Sequence, residues 1–288
     1  MSRDVFEPPP PRRAAGVSRR ALFGFGLLAR ARAEIDYEGV TERVADGWER
    51  DGHEPLLRAL EPVAGTLVEL AGVEEGRRVL DAAAGDGNVA AAALARGAEV
   101  SACDLAGNMV TRGRARVPQA RWRHADVQEL PYAEGAFDAV LSSLGAVLAP
   151  RARRTARELV RVVRPGGVVG LTAWVPKGLP GRVDELVESV APLPEGMRSP
   201  AAWGVQEVAR QRLEPLLDDL ELRTFVVRFT FPDADAFFAA LLRPHPLDDA
   251  QRAALRPELA RVLASCQNPS DGVEVDSRYL LAIGRRPA

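Results

Sequence analysis

The sequence predicts an α/β fold, a mostly parallel sheet with helices on both faces. Three observations lead to it. Val79-Leu80-Asp81-Ala82 is a short apolar run that breaks at Ala83-Ala84-Gly85-Asp86-Gly87 and restarts as an Ala-rich helix reaching about Arg96. From residue 78 to residue 174 such strands alternate with helical stretches, the pattern of a parallel sheet. Two further β-rich runs, at 222–231 and 278–284, follow in the last third.

Composition bounds the problem before any motif does. With 288 residues, 47% of them hydrophobic, the chain can bury one large sheet. The net charge of −2 offers no basic excess for a nucleic-acid groove, so no nucleic-acid partner is expected. Cys103 and Cys266 make neither a disulfide framework nor a metal spacing. His53, His124 and His245 are scattered, so no metal is expected. No apolar run is long enough to span a membrane.

Residues 1–33 differ from the rest. Pro8 to Pro11 is a proline run, followed by Arg12, Arg13, Arg19, Arg20, Arg30 and Arg32, a composition that reads as a disordered basic arm. Ser18-Arg19-Arg20-Ala21-Leu22-Phe23 is superficially similar to a twin-arginine export signal, and Ala31-Arg32-Ala33 would pass as a cleavage site. The apolar stretch between them is short and arginine-broken, which favours a basic, partly helical arm over an export signal. One folded domain is expected over residues 34–288. It opens with helices: Tyr37, Val40, Val44 and Trp48 recur at three- and four-residue steps, and Pro55 starts a second helix that Gly72 ends.

Gly85-Asp86-Gly87-Asn88-Val89-Ala90 fits the dinucleotide pattern G-x-G-x-x-A. Asp81 changes that reading, because a carboxylate at the strand end repels a pyrophosphate and suits a cationic ligand. Asp81-x-Ala83-x-Gly85-x-Gly87 resembles the first motif of the class I S-adenosylmethionine (SAM)-dependent methyltransferases, with Ala83 where the family usually has Gly. Asp104-Leu105-Ala106-Gly107-Asn108-Met109 is similar to the second motif, His124-Ala125-Asp126-Val127 to the third, and Glu158-Leu159-Val160-Arg161-Val162-Val163-Arg164-Pro165-Gly166-Gly167 to the segment that turns the fourth helix into the fifth strand.

The resemblance implies a Rossmann-like seven-stranded sheet closed by an antiparallel C-terminal strand, with SAM as cofactor. It implies a SAM site built from Asp81, Ala83, Gly85 and Gly87. Asp104 and Leu105 fall at the ribose, Asp126 and Val127 at the adenine, and Ser143 faces the methyl group. An aromatic residue of the first helix, Tyr37 or Trp48, is expected to cover the site. The match is loosely closest to the small-molecule, quinone-ring C-methyltransferases, so the expected partner is a small-molecule acceptor.

The strands are expected at 78–82, 99–103, 120–123, 137–141 and 168–174 before the final pair, with an acceptor-pocket insert at about 175–250. Trp174, Trp203, Phe237 and Phe238 are candidates to line that pocket. His245, fixed between Pro244 and Pro246, is the candidate catalytic base. Ala250–Ala264 reads as a helix interrupted at Pro257. An NAD(P)-dependent oxidoreductase and a non-catalytic SAM-binding protein are the alternatives; the first needs a proton-transfer pair that the sequence does not display.

Overall fold

The computed structural model describes residues 34–264 and 272–288. The expectations for residues 1–33, and for Cys266, lie outside the described residues.

Three helices come first: α1 (Tyr37–Trp48), α2 (Glu54–Ala59) and α3 (Glu61–Leu70). One helix was expected where α2 and α3 stand. The helix breaks at Leu60, because Pro62 has no N–H to continue the ladder but fits the first turn of a new helix. The sheet half follows as β1 (Arg78–Ala82), α4 (Asn88–Leu94), β2 (Glu99–Asp104), α5 (Gly107–Arg116), β3 (Arg121–His124), β4 (Phe137–Ser143), α6 (Ala152–Val162) and β5 (Val163–Trp174). The last part holds α7 (Leu179–Val190), α8 (Gln206–Leu213), β6 (Asp218–Phe231), α9 (Ala234–Leu242), α10 (Asp249–Ala264) and β7 (Val273–Arg285).

All seven strands form one sheet in the order β3-β2-β1-β4-β5-β7-β6. The first five are parallel, and β7 runs antiparallel to both β5 and β6. The expected insert is thus not a separate piece, since its strand β6 forms the sheet edge. Helix α10 also differs from expectation. It runs unbroken through Pro257, because Leu255 and Leu259 on either side are buried and hold both halves against the core.

Strand β1 lies in the middle, between β2 and β4, so the strand order reverses there. In a sheet of this kind the crevice at the strands' carboxyl ends opens at that reversal. Side chains on β1 alternate between faces. Val79 joins the core with α3 and α4, where Leu67, Val68, Ala90 and Ala93 are fully buried, and Leu80 joins the opposite core with Val140, Leu159 and Leu171. Burial of each such Leu contributes about 1.5–3 kcal/mol. Asp81 shares the face of Val79, beneath the start of α4. Both cores therefore fix the end of β1 and the loop that leaves it.

Candidate active site

The loop from β1 to α4 turns through left-handed backbone: φ is 53° at Ala83, 56° at Gly85 and 95° at Gly87. Ala83 holds a conformation that costs a Cβ-bearing residue roughly 1–2 kcal/mol, so its surroundings must enforce it. They do. The Ala84 amide donates to the Cys103 carbonyl at 2.9 Å, and the Gly85 amide donates to Asp104 Oδ2 at 2.8 Å. A Cβ on Gly145 would stand 2.3 Å from the Ala83 carbonyl oxygen and 2.7 Å from the Ala83 Cβ. The extra methyl at position 83 is matched by its absence at position 145.

Carboxylates hold the rest of the loop. Asp81 is buried and accepts from the Ala90 amide at 2.8 Å, tying the first turn of α4 to the end of β1. Asp104 also accepts from the Ala106 amide at 2.9 Å, so one carboxylate braces both its own turn and the Gly85 turn. Asp126 accepts from the backbone and side-chain amides of Gln128, each at 2.8 Å. Burial pushes the Asp81 carboxyl well above the usual carboxylate range, with Asp104 and Asp86 adding repulsion. Burial likewise pushes Asp104 up to about 6, against the lowering effect of its two amide bonds.

These groups surround one deep cavity. Asp81, Ala83, Gly85, Asp104, Leu105, Asp126, Val127 and Ser143, all candidates from the sequence, are brought together along its wall. Two predicted residues do not. Gly87 faces away from the cavity, and a Cβ there would meet the Trp122 ring at 2.9 Å, so its role is to let the loop pack on Trp122. Tyr37 lies beneath the Arg151 guanidinium, 4.9 Å from ring centroid to carbon, and lines a neighbouring groove. The cavity is covered instead from the other end of α1, by Thr41, Val44, Ala45 and Trp48.

The far wall comes from the last third of the chain. Trp174, Pro180, Val183, Ala201, Leu241 and Pro244 supply apolar surface, and Asp184 and His245 the polar groups. Trp203 and Phe237 are core residues rather than lining, 2% and 0% exposed, and Phe238 packs against that core. His245 Nε2 is 3.6 Å from Asp184 Oδ1, and each side chain keeps about a quarter of its exposure (26% and 24%). Arg252 and Arg50 hold the His245 backbone carbonyl at 3.0 and 3.5 Å. Burial, then the Arg252 charge, pushes the imidazole down to about 4. Burial, then Glu188, pushes the Asp184 carboxyl up to about 7. The imidazole is thus neutral near pH 7.

Three contributors escaped the sequence reading. Gln128 is buried, and besides holding Asp126 it bonds Thr41 Oγ1 at 3.2 Å and accepts from the Arg151 amide at 3.0 Å, linking α1 to the turn before α6. Glu49 accepts from the Gly107 and Asn108 amides at 2.5 and 2.9 Å, supplying the α5 cap from the end of α1. Asp184 gives no local signal, because it meets His245 only through the packing of α7 on the α9–α10 turn.

The charge balance of the cavity is one-sided. Among the described residues Asp81, Asp104, Asp126 and Asp184 line it, and no Lys or Arg does. Among the described residues no cluster of three metal-ligating side chains is found, and no helix is long and apolar enough to cross a membrane.

Comparison with known proteins agrees with the fold and the loop. A family model described as a methyltransferase domain matches residues 79–167. The uncharacterized protein Rv1403c of Mycobacterium tuberculosis is 34% identical over 237 residues, covering 80% of this chain and 78% of that protein. The demethylmenaquinone methyltransferase of Beutenbergia cavernae is 41% identical over 96 residues, 33% of this chain and 40% of that enzyme. The crystal structure of a putative methyltransferase (BH2331) from Bacillus halodurans C-125 superposes with a TM-score of 0.57 at 18% identity, covering 78% of this chain and 99% of that one. With the motif-bearing loop, the strand order and these relatives together, the chain carries a methyltransferase domain over residues 79–167, shares its fold with solved methyltransferases and belongs to one family with Rv1403c.

Proposed function

We propose that this methyltransferase uses SAM and passes the methyl group to a small, largely apolar acceptor. The charge balance of the cavity supports the cofactor most directly. Four aspartates with no lining cation suit a ligand bearing a sulfonium and an ammonium, and oppose a pyrophosphate. The donor set therefore fits SAM and does not fit a nicotinamide dinucleotide. SAM, when bound, supplies a sulfonium-activated methyl group and leaves as S-adenosylhomocysteine.

The protein's part is to orient and to manage one proton. Asp104 retains lone pairs beyond its two amide bonds and accepts the ribose hydroxyls; Asp126 and the Val127 amide take the adenine edge. Asp81 fixes the loop through its bond to the Ala90 amide. Apolar residues from α1, α7 and α9 exclude water from the far end of the cavity and align the acceptor with the methyl group. His245 takes the proton that the acceptor atom releases, and Asp184 orients the ring and stabilises the imidazolium that forms. We place the reaction in the cytoplasm, where SAM is made.

Calorimetry tests the cofactor. S-Adenosylhomocysteine is expected to bind with a micromolar Kd, and NAD(H) not at all. Tight NAD(H) binding with none for S-adenosylhomocysteine reverses the assignment.

A further inference from the structure

A second hollow adjoins the cavity and carries the opposite charge. The two share the wall Val147-Leu148-Ala149-Pro150 and Pro200. Among the described residues the second is lined by Arg151, Arg153, Arg154, Arg198 and Arg212, and by no Asp or Glu. Three separate segments bring these arginines together: the start of α6, the loop before Pro200, and the end of α8. Nothing in the local sequence balances them. Arg154 is satisfied by Glu129 at 2.5 Å and by the Gln128 carbonyl at 2.7 Å, and Arg151 lies on Tyr37. Arg153 and Arg198 have no hydrogen-bond or ion-pair partner among the described residues.

Arg212 is the most telling of the five. Its guanidinium lies flat on Trp203, 4.3 Å from the ring centroid, and its Nη1 is buried with no hydrogen-bond acceptor. A buried charged donor left unpaired destabilises the fold. Like charges nearby add to that cost: burial, then Arg198 and Arg153, pushes Arg212 down to about 10. Such an arrangement is stable when a negatively charged group from solution completes it.

We propose that this groove is an oxyanion-binding site for a phosphate or carboxylate group, held by Arg212 with Arg198 and Arg153. Planar guanidinium groups bind such oxygens in pairs, which gives the site direction as well as charge. The shared wall puts the site next to the cavity. The oxyanion is therefore either the acidic end of an organic ligand that reaches over Pro150 and Pro200, or a free anion. The proposal does not depend on the cofactor assignment, and its probes differ from those that test it.

Inorganic phosphate and phenyl phosphate are titrated calorimetrically into the full-length protein. Both are expected to bind saturably. Arg212→Gln is expected to weaken both at least tenfold, with S-adenosylhomocysteine affinity unchanged within twofold. Should Arg212→Gln fail to fold, the exposed pair Arg198→Gln and Arg153→Gln, made together, carries the same expectation. Tighter binding of phenyl phosphate than of inorganic phosphate supports the site as the holder of an organic ligand's acidic end; equal or weaker binding supports it as a site for the free anion. Absence of saturable binding by either probe, or equal affinity in wild type and in a folded variant, overturns the proposal.

Discussion

The two ends of the cavity are built by different physics. At the loop end, carboxylates clamp backbone amides: Asp81 holds Ala90, Asp104 holds Gly85 and Ala106, and Asp126 holds Gln128. Each of these bonds spans 19 residues or fewer. At the far end, Trp48, Pro180, Val183, Leu241 and Pro244 meet through packing of segments up to about 200 residues apart, and only Asp184 and His245 are ionisable. The first end is fixed by hydrogen bonds; the second is an apolar space whose shape depends on how distant segments pack. Under the proposed function the first holds the cofactor and the second the acceptor, and that division lets a fold keep one while changing the other.

The division is broken most severely by removing the pair at the far end. His245→Ala is expected to lower turnover, followed as S-adenosylhomocysteine release, by about 10²–10⁴, or about 2.7–5.5 kcal/mol in the barrier. Affinity for S-adenosylhomocysteine should stay within twofold, because the imidazole stands away from the clamped loop. Undiminished turnover would remove the base from the mechanism, and a parallel loss of S-adenosylhomocysteine affinity would show that the two ends are not independent.

A smaller effect, of the opposite kind, is expected from the loop end. Gly145→Ala puts a methyl group 2.3 Å from the Ala83 carbonyl oxygen, against backbone that the sheet holds in place. Overpacking of this sort costs about 2–3 kcal/mol, which corresponds to a fall of roughly 4–12 °C in Tm for a domain of this size. S-Adenosylhomocysteine affinity should fall with it. Unchanged Tm and affinity would mean that the loop yields easily, and the contrast between a rigid and an adaptable end would fail.

The same division explains what the sequence reveals. Strand β1 was legible to the residue, and the loop, Asp104 and Asp126 were legible because each motif is a few residues long and joins neighbours in the chain. Tyr37 and Trp48 lie on one helical stripe, and periodicity cannot tell which end of that stripe faces the cavity; the Arg151 side chain, which occupies Tyr37, comes from the start of α6, more than 100 residues along the chain. Gly87 matched its motif, yet its reason is steric, set by Trp122 from β3. Gln128 and Asp184 are ordinary polar residues locally and acquire roles only when distant helices dock. His245 stood out because two prolines frame it, a local signal, while its partner carried none.

The smallest effect expected is also the sharpest for the loop end, and it concerns proton linkage at Asp104. Burial raises its carboxyl from 3.8 to about 6 in the folded protein. A raised folded pKa means that the folded state holds the proton more tightly than the unfolded chain. The contribution of Asp104 to stability is therefore full below 3.8 and lost as pH rises through about 6. Ligand binding has the opposite sign, since ribose hydroxyls donate to the ionised carboxylate and the protonated form loses acceptor capacity. S-Adenosylhomocysteine affinity should be full above about pH 7 and fall as pH drops through about 6, reaching about tenfold weaker at pH 5 than at pH 7.5. Asp104→Asn has no proton to exchange here and should bind more weakly at pH 7.5, with a flatter profile. Calorimetry at half-unit steps from pH 5 to pH 8 decides it. A wild-type profile as flat as that of Asp104→Asn would show that the carboxylate serves the Gly85 and Ala106 amides alone, a clamp for the loop rather than a contact for the ligand.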